Sequence, residues 1–138
     1  MSKFFVALFL GALTLGICGC GGASQSKTDG EARDVAEFRR VTSDEAQKMM
    51  AGEQGYLIVD VRTAKEYADG HIPNAINVPN ESINTNPPKE LPDKGQRIFV
   101  YCRSGARSMQ AAQKLAHMGY TNIVEMGGLK DWRGEIVK

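Results

Sequence analysis

At 138 residues and a net charge of +1, the chain suits one globular unit plus a short appendage, because about 100 residues can bury one adequate core. Acidic and basic residues are interspersed and nearly equal in number, so no extended positive field exists to hold a nucleic acid. Small or neutral partners are favoured.

The chain opens with MSKFFVALFLGALTLGICGCGG, in which Lys3 precedes an apolar run from Phe4 to Ile17 and small residues follow. This is the pattern of a secretory signal. As a helix the run reaches only about 21 Å, short of a hydrocarbon core of about 30 Å, so removal is expected rather than a permanent span. Ile17-Cys18-Gly19-Cys20 resembles the lipobox of bacterial lipoproteins, departing from it at Cys18, where a small or β-branched residue is usual. The resemblance implies that residues 1–19 are cut away and that Cys20 is acylated, which would hold the protein at the periplasmic side of a bacterial membrane. Ordinary cleavage near Gly22 or Ala23 is the alternative and would release it. Residues 20–36 are small and polar without an apolar face and read as a flexible tether; residues 37–138 are the candidate domain. With Cys18 and Cys20 spent on export, Cys102 has no partner inside the chain, so a structural disulfide in the domain is excluded on count.

Thr42-Ser43-Asp44-Glu45 forms a capping box and opens a helix to Met50, stopped by Gly52. YLIVDV, residues 56 to 61, is an apolar run broken by Asp60, as in a parallel strand covered on both faces. Thr63-Ala64-Lys65-Glu66 is a second capping box, and its short helix ends at Gly70. Residues 71 to 79 contain a brief strand, and residues 80 to 96, with Pro87, Pro88, Pro92 and Gly95, are loop. RIFVY, residues 97 to 101, is a strand and Ser108 to Met118 a helix. NIVEM is the last strand, after which Gly127-Gly128 turns the chain into a short helix around Trp132, itself a core candidate. Strands alternating with helices predict an α/β fold, a parallel sheet with helices on both faces and ligands beyond the carboxyl ends of the strands.

Cys102 falls at that edge, inside YCRSGARS. A loop entering a helix aims backbone amides and the positive end of the helix dipole at one point, and Arg103 and Arg107 add charge of the same sign. These effects predict a thiol that ionises below its reference value of about 8.5. A buried, inert cysteine is the bland alternative. Tyrosine-type phosphatases and related arsenate reductases place five residues between Cys and Arg, which makes room for a tetrahedral oxyanion. Here Ser108 stands at that position and Arg107 one residue earlier, giving a tighter loop that suits one extra sulfur on the cysteine.

CRSGARS resembles the active-site loop of rhodanese-like, single-domain sulfurtransferases. VDVRTAKEYADGHIPNAINVP, residues 59 to 79, is similar to the family's Asp-x-Arg, Glu and Gly-His-Ile-Pro-x-Ala-x-Asn motif, and MGGLKDW, residues 126 to 132, to its Gly-Gly-x-x-x-Trp motif. The resemblance spans residues 38 to 138 and implies a three-layer α/β/α sandwich around a mainly parallel five-stranded sheet. It implies that Cys102 is the nucleophile toward a small sulfur donor, thiosulfate or polysulfide. A persulfide on Cys102, cradled by the amides of Arg103, Ser104, Gly105, Ala106, Arg107 and Ser108, would then pass to a thiol, cyanide-like or protein acceptor. No cofactor is implied and a monomer is expected.

Arg103 is the candidate for steering an anionic donor. Arg107 either binds the anion or braces the loop against carboxylates. Ser108 is expected to cap the following helix and hold the loop. Asp60 and Arg62 are expected in support, Asp60 orienting the loop or its arginines and Arg62 pairing with Glu66. His71 reads as a turn or packing histidine, because a thiolate needs no general base. His117 sits near a helix end, where its charge suits the dipole. Neither histidine neighbours a second ligand at usable spacing, so no metal site is expected. A non-catalytic binding module of the same fold, or a Cys-dependent phosphatase, are the competing functions.

Overall fold

The structure, a computed structural model, describes residues 37–138; the expected signal, the acylation candidate Cys20 and the expected tether lie outside the described residues. Both capping boxes form. Thr42 accepts from the Glu45 amide at the head of α1, Ser43–Gly52, and Thr63 accepts from the Glu66 amide at the head of α2, Ala64–Asp69. In each box the glutamate reaches back to the cap amide, at 2.8 and 3.0 Å, and each cap stabilises its short helix by about 1 kcal/mol. Gly70 closes α2 with φ at 153°.

The strands are β1 (Arg39–Arg40), β2 (Leu57–Asp60), β3 (Ala75–Asn77), β4 (Ile98–Cys102) and β5 (Ile123–Gly128), in the order β1-β5-β4-β2-β3. Every pairing is parallel. Helix α3, Ala106–His117, follows β4. Asn80–Ser82 and Leu129–Asp131 are single 3-10 turns, and Trp132 ends the second instead of sitting within it. Trp132 is half-buried at the edge of a core cluster, so its expected place in the core is corrected: its indole N–H donates to the Glu135 carbonyl at 3.1 Å and stays near solvent.

β4 is central and all five of its residues are buried, which is why the sequence there is continuously apolar. Side chains alternate across a strand. Ile98, Val100 and Cys102 therefore join the cluster that includes Ala111, Ala112 and Leu115 of α3. Phe99 and Tyr101 join the opposite cluster with Ala46 of α1 and the half-buried Tyr67 of α2. This is the expected α/β/α sandwich, and burying a ring such as Phe99 contributes about 1.5–3 kcal/mol. The same alternation decides which helix Cys102 faces: α3.

One irregularity shapes the functional edge. Val100 pairs with Glu125 but Cys102 pairs with Gly128, so β5 carries an extra residue beside the cysteine. Gly127, at φ 81°, absorbs that bulge in the left-handed region where glycine has no side chain to clash.

Candidate active site

Cys102 ends β4, 1% exposed, and among the described residues it is the free cysteine. The chain leaves it through Arg103 and Ser104, both exposed, and turns at the buried Gly105. Gly105 sits at φ 105° as the N-cap of α3, a conformation that costs glycine little. The helix therefore starts at Ala106, two residues before the expected Ser108, which corrects the capping role expected of Ser108. Gly105 caps through its backbone, and Ser108 lies inside the first turn with its hydroxyl 3.0 Å from the Gly105 carbonyl. The expectation that Ser108 holds the loop fits this bond.

The early turn aims amides at sulfur. The Gly105 N–H donates to Cys102 Sγ at 3.0 Å, and Ser108 Oγ lies 3.5 Å from it. Burial pushes the Cys102 thiol up. Hydrogen bonding at Ser108, Gly105 and Ser104 outweighs burial and holds the thiol below its ordinary range. The hydroxyl's part in this depends on where its single hydrogen points. The direction is the expected one, and the amides expected at the helix head are among its causes.

Arg107 is turned to a carboxylate. Its two terminal nitrogens donate to the two oxygens of Glu66 at 2.8 and 2.9 Å, a bidentate pair that ties the first turn of α3 to α2. Of the two roles open to Arg107, this geometry is the brace, with both terminal nitrogens engaged by Glu66. Arg103 is exposed and lines an open cleft of about 320 Å³ with Arg62, Glu66, Asp69, Leu129 and Lys130.

Arg62 does not pair with Glu66 as expected. Its guanidinium donates to the fully buried Asp60 carboxylate, from Nε at 2.9 Å and from Nη2 at 2.6 Å, and to the Gly70 carbonyl at 2.7 Å. Glu66 is already held by Thr63 and Arg107. Asp60 also accepts from the Tyr101 hydroxyl at 2.8 Å, and Tyr101 lies on the face away from α3. Asp60 therefore orients Arg62 and β4, not Arg103 or Arg107, and the expectation that it positions the loop is corrected on that point. His71 stacks on Tyr67 at 3.8 Å between ring centroids, with Nδ1 2.9 Å from the Tyr67 carbonyl, and His117 bonds the Gln113 carbonyl on its own helix. Among the described residues no three His, Cys, Asp or Glu side chains gather to hold a metal ion.

The rhodanese-like domain family matches residues 42–135 of this chain. The chain belongs to the rhodanese-like family. It is a rhodanese-type enzyme whose relatives include thiosulfate sulfurtransferase PspE of Escherichia coli, 40% identical over 73 residues that cover 53% of this chain and 70% of that one. A sulfurtransferase of Allochromatium vinosum is 37% identical over 93 residues, covering 67% of this chain and 85% of the relative. Among solved structures, a rhodanese with anions from E. coli superposes with a TM-score of 0.56 at 37% identity, covering 60% of this chain and 98% of that one. The rhodanese-like domain of an Anabaena protein superposes with a TM-score of 0.63 at 26% identity, covering 73% and 80%.

Two features of this rhodanese-like site escaped the sequence reading. A Cβ on Gly128 would lie against the carbonyl of Arg103 and 2.7 Å from the Ser104 Cα, so the Gly-Gly motif is where β5 lets the cysteine loop pass. Glu125, 1% exposed, accepts from Ser108 Oγ at 2.6 Å and from the Gly127 amide at 2.8 Å. A lone carboxylate in a buried strand, two residues before Gly-Gly, was the available signal.

Proposed function

We propose that this protein is an exported sulfurtransferase that carries sulfane sulfur as a persulfide on Cys102. The Cys102 thiolate attacks the outer sulfur of thiosulfate. A new S–S bond forms as the donor's own S–S bond breaks, and sulfite leaves with the bonding electrons. A thiophilic acceptor, a thiol, cyanide or a protein cysteine, then takes the outer sulfur, and the Cys102 thiolate returns. This is covalent, two-step catalysis.

The observation that carries the proposal is the Gly105 amide 3.0 Å from a buried Sγ at the head of α3. Such donors stabilise negative charge without reorganising when it appears, which suits both the attacking thiolate and the persulfide. The tight loop and the commitment of Arg107 to Glu66 support transfer of a single sulfur over phosphoryl chemistry. Arg103 and Lys130, both on the rim of the cleft, are the cations that would attract an anionic donor.

The proposal is tested by steady-state transfer from thiosulfate to cyanide. Parallel lines in double-reciprocal plots, and loss of thiocyanate formation in Cys102→Ala, are expected; intersecting lines would contradict a free persulfide intermediate.

Export and anchoring are supported by the leader and by the likeness of residues 17–20 to a lipobox. Acylation at Cys20 predicts that a labelled fatty acid is incorporated into the expressed protein and that Cys20→Ser abolishes incorporation. An unlabelled protein beginning beyond Gly22 would overturn anchoring.

A further inference from the structure

A serine hydroxyl has one hydrogen to give, and that of Ser108 has several acceptors within reach. Glu125 Oε1 lies at 2.6 Å, the Gly105 carbonyl at 3.0 Å, the Gly127 carbonyl at 3.4 Å and Cys102 Sγ at 3.5 Å. The carboxylate contact is in the short range of charge-assisted O–H···O⁻ bonds, about twice as strong as neutral ones, while the sulfur contact is long. The hydrogen therefore goes to Glu125. A thiol at Cys102 can then donate into Ser108 Oγ, but a thiolate receives nothing from that hydroxyl.

We infer that Glu125 is a positioning residue for the nucleophile: its buried carboxylate holds the Ser108 hydrogen away from Cys102, so the sulfur keeps only its amide donors. This rests on Cys102 being the nucleophile proposed above. Without Glu125 the hydroxyl would turn to sulfur, and a nearby like charge would be lost as well, so both effects would lower the thiol further. The carboxylate thus keeps the thiolate more basic than the cradle alone would make it. For attack on sulfur, each unit of nucleophile pKa is worth about threefold in rate.

The surroundings hold Glu125 in this task. Gly127, on the β5 bulge, donates its amide to the same oxygen that takes the Ser108 hydrogen, at 2.8 Å, and Arg40 of β1 donates Nε to the other at 3.1 Å. Three donors converge on a side chain that is 1% exposed. Of the other charged groups, Arg107 of α3 is committed to Glu66, Arg103 is exposed, and Asp60 and Arg62 pair with each other. Glu125 is therefore the carboxylate coupled to Cys102 through a shared hydroxyl.

The test is the pH dependence of iodoacetamide alkylation at Cys102 in the full chain, read on the Cys102 peptide by mass so that other thiols do not enter. Ser108→Ala is expected to leave the midpoint unchanged or lower, because the deleted hydroxyl was giving sulfur nothing. A higher midpoint would mean that the hydrogen was on sulfur and would overturn the inference. Glu125→Gln keeps the shape and removes the charge, and is expected to lower the midpoint by about one unit, and by less when Ser108→Ala is also present. No shift, or an equal shift in both backgrounds, would overturn it. If Glu125→Gln does not fold, Ser108→Ala decides alone. Alkylation does not require sulfur transfer, so a chain that alkylates as expected but takes no sulfur from thiosulfate sinks the persulfide proposal and leaves this inference standing.

Discussion

Arg107 and Glu66, 41 positions apart, meet in a two-pronged ion pair at 2.8 and 2.9 Å, joining the head of the helix behind the cysteine loop to α2. The Arg107 hydrogen bond, working against burial and aided by Thr63, holds the Glu66 carboxyl at about 2, below its ordinary value of 4.5. A carboxyl depressed by folding stabilises the fold above its unfolded value and loses that contribution as pH falls through the folded one. Both side chains keep over a quarter of their surface in water, so solvent screens the pair and about 1 kcal/mol is its scale. Glu66→Gln should lower the urea midpoint at pH 7, and the gap to the parent chain should narrow between pH 4.5 and pH 2. A gap that stays constant over that window would show that the pair adds no stability.

Asp60 and Arg62 form a buried pair, at 0 and 7% side-chain exposure. Removing one member strands the other charge, at a cost of about 3–5 kcal/mol. Asp60→Asn should show that loss in urea unfolding, with Arg62→Met on the same background recovering part of it. A loss under 1 kcal/mol, by the scale of exposed pairs, would mean that water reaches Arg62.

Gly128→Ala should displace the cysteine loop, since its Cβ would press on the backbone of Arg103 and Ser104. The expected result is slower sulfur loading of Cys102 by at least about tenfold, the scale on which misplaced reacting groups lose rate. Gly52→Ala meets nothing within 4 Å and is the control expected to keep the parent rate. Equal rates in the two variants would remove the loop from the kinetics.

Much of the fold was legible because local chemistry set it. Thr42 and Thr63 announced their helices, YLIVDV announced a strand covered on both faces, and RIFVY the strand that leads into the cysteine. β1 was not read because two exposed arginines, Arg39 and Arg40, carry no apolar period and pair only once β5 is in place. The start of α3 was missed because its cap is a left-handed glycine and not a side-chain oxygen. Cys102 and its loop were legible from spacing and resemblance. The ion pairs were not: Glu66 is nearer Arg62 in sequence, yet strand β2 turns Arg62 toward Asp60 and leaves Glu66 to Arg107. Glu125 was hidden for the same reason, since only the packing of α3 on β5 gives its carboxylate a serine to hold.

The most direct test of sulfur transfer is the intact mass of the protein after incubation with thiosulfate and removal of excess donor. A gain of one sulfur atom, absent in Cys102→Ala and discharged as thiocyanate when cyanide is added, is the expected result. An unchanged mass in the parent chain, or an adduct that persists in Cys102→Ala, would contradict a persulfide on Cys102.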